Sequence, residues 1–346
     1  MDEAVIVIPD LYLHGAEHTD AGALTALEYA GRFGERTRLA GGWRSWLAVW
    51  LGRGDLAGVS VAAMAAAARP AGSLTATRWI ATPVTLIAGL TRAHLDRAGI
   101  LRLLPEEQTW LVSDFQRTFG GSDLVLEPLR DGQLLLTTPA MAAIASAEPA
   151  RCAGGELTLP QGPAAAPLLR LIAEVEMWLH GAPLNDTRAA RGAPRVTSLW
   201  LWGAEGGALP AAAAAPRAPG TNGPGGGATL ACGADAFLDG LAPLAGALLE
   251  ALPESSAALI AERRAARAVL LAGLADAAPE SLPWSLSAAV SELDRRLIRP
   301  ALDALMAGRL GRLTLIANDT RIALGRHSAL KRWRRPRPGL GAFVWA

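Results

Sequence analysis

Short apolar segments alternate with amphipathic segments along most of the chain, and this alternation predicts the main elements. The first apolar run, residues 4–8, is rich in β-branched side chains and stops at Pro9, which is typical of a buried strand. Asp10 follows at the strand end, where open α/β sheets place ligands, and capping of the next segment is its alternative role. Further strands are predicted at residues 228–232, 267–271 and 312–317.

Between these strands, apolar residues recur at helical spacing. One such stripe comprises Leu168, Ile172, Val175 and Leu179. Helices are predicted over residues 22–68, 105–119, 168–179, 236–252 and 284–306, the last with a kink at Pro300. A hairpin is predicted over residues 124–137, turning at Arg130–Asp131–Gly132. Strands that alternate with helices predict an α/β fold with a mainly parallel sheet and helices on both faces.

Shifts in composition along the chain predict four parts. Residues 1–160 form an N-terminal α/β part, and residues 161–209 contribute a helix followed by a strand. Residues 210–227 are rich in Ala, Pro and Gly, which is typical of a flexible linker. Residues 228–346 return to the α/β pattern, and we expect this C-terminal part to complete the core.

The overall composition indicates a folded protein without a marked charge preference. The chain has 346 residues, of which 51% are hydrophobic and 19% charged, and its net charge of +1 indicates neither a nucleic acid nor an acidic partner. Cys152 and Cys232 form no CxxC motif and are expected to be idle thiols. The N-terminus lacks the pattern of a signal peptide, and no apolar stretch approaches the roughly 20 residues of a spanning helix. We therefore expect a cytoplasmic protein with no membrane contact.

One stretch, residues 180–207, carries a family resemblance. It reads HGAPLNDTRAARGAPRVTSLWLWGAEGG and includes Pro183, Asn185, Arg188, Arg191, Gly192, Pro194, Ser198, Leu199, Trp200, Trp202 and Gly203. This order of residues resembles the archaeal-type cofactor-independent phosphoglycerate mutases, and most of all their uncharacterised bacterial relatives, which are labelled Rpf-type regulatory proteins. Two departures stand out, because Thr197 replaces an Asn of the pattern and Ala204–Glu205 interrupt its glycine run.

The resemblance implies an alkaline-phosphatase-like fold and a specific metal chemistry. Active relatives hold two divalent metals with Asp and His side chains and use a Ser or Thr nucleophile, and two metals clamp both oxygens of a transferring phosphoryl group. The corresponding segments here read ADAAPES and NDT, which keep Asp276 and Asp319 and lack the histidines. Thr19, Thr25 and Thr37 are nucleophile candidates by residue type alone. We therefore expect a reduced form with no catalytic residues and no cofactor, in which Asp10, Asp276 and Asp319 are remnants; bound Mn or Zn is the alternative.

Two other features of the sequence are candidates for binding. Near the glycine-rich turn, Arg188 and Arg191 could hold a phosphate or carboxylate bidentately, or could bond local backbone carbonyls instead. With Asn185 and Gly203 they form the predicted ligand site. His14 and His18 have the spacing of a metal-binding pair on a helix, but Gly15 weakens that helix.

Three functions are consistent with these observations. The leading hypothesis is a catalytically degenerate mutase-like protein, a pseudoenzyme that binds a phosphorylated or carboxylate small molecule, or a protein partner, in a regulatory role. The first alternative is an active metal-dependent phosphomutase or phosphatase. The second alternative, a nucleic-acid-binding regulator, would use the basic tail, residues 325–338. We consider nucleic acid an unlikely partner because Pro336 and Pro338 prevent a continuous basic helix.

Overall fold

A computed structural model describes residues 1–13, 25–69, 76–88, 93–218, 227–277, 285–328 and 339–344. The chain divides into two compact units. The first unit comprises Met1–Ala57, Ala215–Ala234 and Leu241–Ala346, and the second comprises Gly58–Ala214 and Asp235–Gly240. His14, His18, Thr19, part of the 210–227 linker and the basic residues from Lys331 to Arg337 lie outside the described residues.

The first unit contains a seven-stranded mixed sheet. Its strands are β1 (Glu3–Val7), β2 (Glu35–Arg38), β10 (Thr229–Cys232), β11 (Leu248–Glu250), β12 (Arg267–Leu271), β13 (Arg312–Ala317) and β14 (Thr320–Gly325). In the order β11-β10-β12-β1-β13-β14-β2, neighbouring strands are parallel as far as β13, and β14 and β2 are antiparallel. The predicted mainly parallel α/β sheet is therefore confirmed, with an antiparallel edge that the sequence did not predict.

Helices cover this sheet and close its aliphatic core. The helices of the first unit are α1 (Thr25–Phe33), α2 (Gly42–Trp50), α9 (Ser256–Glu262), α10 (Leu274–Ala277), α11 (Leu286–Leu293) and α12 (Arg299–Met306). On one face of the sheet, side chains such as Ile6, Leu270 and Leu315 pack against Leu27 and Leu293 from the helices. Burial of this apolar face, at about 25 cal/mol per Å², is the main force that holds the layers together.

Two predicted helices are interrupted in the structure. The helix predicted over residues 22–68 is interrupted by β2, which pairs with β14, and a new helix begins at Gly42, whose φ of 71° only glycine adopts readily. The long helix predicted over residues 284–306 contains a π-helical turn, Asp294–Ile298, between α11 and α12. This turn lies just before Pro300, which has no N–H to donate to the preceding turn.

The second unit contains two smaller antiparallel sheets. Its strands are β3 (Thr77–Val84), β4 (Ile87–Ala88), β5 (Ala93–Leu95), β6 (Val125–Pro128), β7 (Leu134–Thr138), β8 (Gly155–Leu157) and β9 (Ser198–Trp202). They are arranged in the orders β6-β7-β3-β9 and β4-β5-β8. The helices are α3 (Val61–Ala67), α4 (Pro105–Phe119), α5 (Pro149–Cys152), α6 (Ala166–His180) and α7 (Pro183–Ala190). The predicted hairpin around Asp131 is confirmed as β6 and β7.

One further helix, α8 (Ala236–Ala245), begins in the second unit and ends in the first. It is shorter than predicted, because Gly246 adopts a φ of 70° after its last residue and β11 follows. No helix among the described residues is both long enough and apolar enough to cross a membrane.

Candidate functional site

Three neighbouring strands of the first unit end at the same edge of the sheet. Strand β1 lies between β12 and β13 and is parallel to both, so the residues that follow these three strands are brought together. Asp10 follows β1, Asp276 follows β12 and Asp319 follows β13. The structure thus places the three predicted remnant aspartates after adjacent strands, as the edge rule for open α/β sheets requires.

The carboxylates of Asp10 and Asp276 meet at the turn between β12 and α10. The N–H of Leu274 donates to both oxygens of Asp10, at 2.9 Å each, and the N–H of Gly273 donates to Oδ2 of Asp276 at 2.9 Å. A Cβ at Gly273 would lie 3.2 Å from Oδ2 of Asp10 and 3.5 Å from Oδ2 of Asp276. Both carboxylates therefore contribute to holding the backbone of this turn, and they approach each other at the position of Gly273.

Asp319 occupies a tight hairpin turn. Asn318 and Asp319 have φ values of 48° and 51°, and Ala317 pairs with Thr320, which is the geometry of a two-residue turn with both central residues left-handed. Asn318 stabilises the edge further, because its Oδ1 accepts the N–H of Leu13 at 3.1 Å. The NDT segment therefore has a clear structural role as the turn that joins β13 to β14.

Arg188 and Arg191, the two arginines near the glycine-rich turn of residues 180–207, bind a buried glutamate in the second unit. Arg188, whose side chain is only 3% exposed, donates from Nη1 to Oε2 of Glu107 at 2.6 Å and from Nε to the carbonyl of Pro194 at 2.6 Å. Arg191 donates from Nη2 to Oε1 of the same carboxylate. Burial lowers the pKa of Arg188, and the charge of Glu107 opposes that shift. The bond from Arg188 to Pro194 is of the kind that the backbone-carbonyl alternative describes, whereas the bonds to Glu107 join the arginines to a distant helix.

Asn185 extends this network, whereas Gly203 lies apart from it. Asn185 donates from Nδ2 to the carbonyls of Leu179 and Val196, at 2.9 and 3.0 Å, and accepts the N–H of Val196 at 2.7 Å. Gly203 lies at the other end of β9, with a φ of 74°, and a Cβ there would lie 3.2 Å from Cβ of Val61. The structure therefore brings together three of the four predicted ligand residues, and Gly203 serves the turn after the strand.

Sequence reasoning did not identify Glu107 as a member of this network. Glu107 is itself 3% exposed and accepts the N–H of Leu104 at 2.9 Å, so it also caps the start of α4. The only signal in the sequence was its position in the first turn of a helix, which predicts a cap and not a partner for arginines.

The described residues contain neither a further group of metal ligands nor a paired cysteine. Among the described ranges, no three His, Cys, Asp or Glu side chains are grouped so that they could hold a metal ion. Both cysteines are free, and burial raises the pKa of Cys232 to about 11, so this thiol is protonated at neutral pH.

Comparison with known proteins gives similarities to solved structures only. No family model matches the chain, and no curated protein matches it. The cofactor-independent phosphoglycerate mutase from Thermoplasma acidophilum is 14% identical, with 94% of this chain and 90% of that chain covered and a TM-score of 0.37. The PH0037 protein from Pyrococcus horikoshii is also 14% identical, with coverages of 94% and 87% and a TM-score of 0.48.

Proposed function

We propose that this chain is a catalytically degenerate relative of the phosphoglycerate mutases that acts by binding, in a regulatory role. The observation that supports this most directly is the use of Asp10 and Asp276 as acceptors for the amides of Leu274 and Gly273. Phosphoryl transfer between two metals needs a full set of ligands, and the ADAAPES and NDT segments contain no histidine. The two carboxylates then remain for a structural reason, since they hold the turn after β12.

The ligand of such a protein would be a phosphorylated or carboxylate small molecule held by Arg188 and Arg191. Arg191 is the accessible member of the pair, with a side chain that is 37% exposed, against 3% for Arg188. An anion that displaces Glu107 from Arg191 would gain a bidentate partner, while Arg188 keeps the buried carboxylate. A protein partner with an acidic side chain could use the same contact.

The decisive test combines metal analysis with activity assays on the full chain. We expect purification without stoichiometric Mn or Zn and no phosphoglycerate mutase turnover when Mn is added.

Asp10→Ala should lower the melting temperature, because the Leu274 amide loses its acceptor, whereas Asp10→Asn should be close to wild type because an amide oxygen still accepts. In calorimetry with 3-phosphoglycerate, Arg191→Ala should weaken binding and Arg195→Ala, an exposed control, should not.

A second candidate, a metal-dependent phosphomutase or phosphatase, is favoured by one observation. Asp10 and Asp276 follow adjacent parallel strands and approach each other at Gly273, as the first ligands of a Mn or Zn site would. Two metals per chain, or Mn-dependent turnover that both Asp10→Asn and Asp10→Ala abolish, would establish this candidate and contradict the binding role.

A further inference from the structure

The turn between β6 and β7 meets the first turn of α8 within the second unit. Asp131, from the β6–β7 turn, accepts the N–H of Ala236 at 3.0 Å through Oδ2. Asp235 accepts the N–H groups of Phe237 and Leu238 through Oδ1, at 2.8 and 3.0 Å. The free amides at the start of α8 are therefore capped by two carboxylates, one local and one from the hairpin.

A third carboxylate is buried one turn further along the helix. Asp239 is 9% exposed and accepts a hydrogen bond from Nη1 of Arg130 at 2.9 Å. The next residue, Gly240, packs so closely that a Cβ there would lie 1.9 Å from the carbonyl oxygen of Met64 in α3. The N-terminal half of α8 is thus held directly against α3, next to the largely buried Asp239.

Negative charge exceeds positive charge at this contact. Arg130, which is 47% exposed, and Arg69, which also pairs with Glu127 at 3.6 Å, are the cations that act on Asp239, and Asp131 and Asp235 repel it. Burial raises the pKa of Asp239 to about 6; Arg130 opposes the shift, and the two neighbouring carboxylates add to it. Burial also raises the pKa of Asp131, against the hydrogen bonds that it accepts.

We propose that this contact is a proton-operated latch, in which uptake of one proton by Asp239 tightens the docking of the first turn of α8 and its loss loosens that docking. The neutral carboxyl group removes the repulsion from Asp131 and Asp235 and the cost of burying a charge. Protonation of Asp239 weakens its ion pair with Arg130. This loss is small, because the guanidinium of Arg130 is 47% exposed and water can solvate it instead.

The direction of the pH dependence follows from linkage. Because the pKa of Asp239 is higher when α8 is docked than when it is free, the docked state binds the proton more tightly. The proton-linked stabilisation is complete below about pH 4 and is lost as the pH rises through about 6. Between pH 7.5 and pH 5, the ratio of docked to undocked α8 should rise about tenfold.

A partly buried hydrogen-bond chain connects this latch to strand β9. Nε2 of Gln133 donates to Oδ2 of Asp131 at 2.8 Å, and Oε1 of Gln133 accepts the hydroxyl of Thr82 at 2.5 Å. The indole N–H of Trp202 in turn donates to Thr82 at 2.8 Å. A change in the position of Asp131 therefore alters the environment of the Trp202 indole, which gives the latch a second readout.

Hydrogen exchange of the full chain between pH 5 and pH 7.5, corrected for intrinsic rates, tests the latch. We expect amides 237–242 to become about tenfold more protected at pH 5, with the gain beginning as the pH falls through about 6. The Trp202 indole signal in NMR should titrate with a midpoint near 6. Asp239→Asn should give the same high protection at both pH values. Asp186→Asn removes an exposed carboxylate of the same unit and should keep the wild-type response.

Arg130→Met supplies an independent variant if Asp239→Asn does not fold. Since Arg130 lowers the pKa of Asp239, its removal should move the midpoint to higher pH. The proposal is overturned if Asp239→Asn keeps the wild-type pH dependence, if protection falls on acidification, or if Arg130→Met leaves the midpoint in place.

Discussion

Glu107 connects the start of α4 to the end of α7 through a single carboxylate. It caps the backbone at Leu104, binds the buried Arg188 and binds the half-exposed Arg191. A buried arginine without a counter-charge is costly, so this arrangement is stable only as a set. The ion pairs between α7 and α4 already give these two arginines a structural role.

Replacement of this glutamate by its neutral analogue tests the set. Glu107→Gln keeps the shape of the side chain but leaves Arg188 without its counter-charge, so we expect a loss of about 3–5 kcal/mol in the free energy of unfolding. Urea denaturation measures this loss. Glu106→Gln changes an exposed neighbour in the same helical turn and should cost almost nothing. Equal effects of the two substitutions would show that the buried ion pairs do not contribute to stability.

At this scale the sequence identified the arginines but not their partner. Arg188 and Arg191 lie three residues apart next to a turn, which is a local pattern that can be read directly. Glu107 is 81 and 84 residues away from them, and no periodicity links positions so distant in the chain. The choice between a bound anion and an internal carboxylate therefore required the structure.

Strand β9 is buried on both faces and holds two layers together. Leu199 and Leu201 belong to the core between the sheet and helices α4 and α6, whereas Trp200 and Trp202 belong to the core on the α3 side. Both tryptophans share one face, as the two-residue period of a strand dictates. The indole N–H of Trp200 donates to the carbonyl of Ala147 at 2.8 Å, which satisfies its one polar atom.

Truncation of Trp200 should therefore be strongly destabilising. Trp200 is 1% exposed, and we expect Trp200→Ala to reduce the free energy of unfolding by about 3–5 kcal/mol through the cavity that it leaves. Trp200→Phe keeps much of the ring and should cost less, since it mainly leaves the Ala147 carbonyl without this donor. An unchanged melting temperature in Trp200→Ala would mean that this face of β9 is not packed as described.

Elements with strong local signals were predicted well, and elements defined by pairing were not. The bounds of α4, β12 and β13 agree with the prediction, because Pro105 begins the helix and continuous apolar runs mark the strands. Strand β2 reads ERTR and contains no apolar residue, so only its hydrogen bonds to β14 make it a strand. The helix predicted over residues 22–68 was wrong for the same reason.

For the whole molecule, the repeating pattern of strands and helices predicted the α/β class but not the order of the strands. The order depends on pairings such as Glu3 with Arg267 and with Arg312, which join distant parts of the chain. The four-stranded antiparallel sheet of the second unit was not predicted either. Its strand β3 pairs with β7 and β9, which lie far apart in the chain between residues 77 and 202, and no local pattern indicates such pairings. The positions of Asp10 and Asp276 at one edge followed from the strand-end rule, whereas their bonds to backbone amides did not.

The charge of the whole molecule bears on the nucleic-acid alternative. The net charge is +1, and the basic tail contributes Lys331, Arg332, Arg334, Arg335 and Arg337. Deletion of the entire C-terminus is a poor test of this tail, because Leu340 and Phe343 are fully buried in the first unit and Arg326 bonds the carbonyl of Gly308. Substitution of the five basic residues by Gln removes the charge and leaves these contacts in place.

We expect the wild-type chain to show no sequence-specific DNA binding and at most a weak attachment through the tail. If all five cations contact phosphates, counterion release would reduce affinity by about 500-fold between 50 and 200 mM salt. The five-Gln variant should lose this attachment while it keeps the wild-type melting temperature and any binding of a small anion at Arg191. Fluorescence anisotropy with labelled duplexes of unrelated sequence measures the attachment. Tight binding to one duplex at 200 mM salt, lost in the five-Gln variant, would instead place the function in the tail. The net charge of +1 includes the five tail cations, so the rest of the chain is net negative and provides no comparable attraction for phosphates.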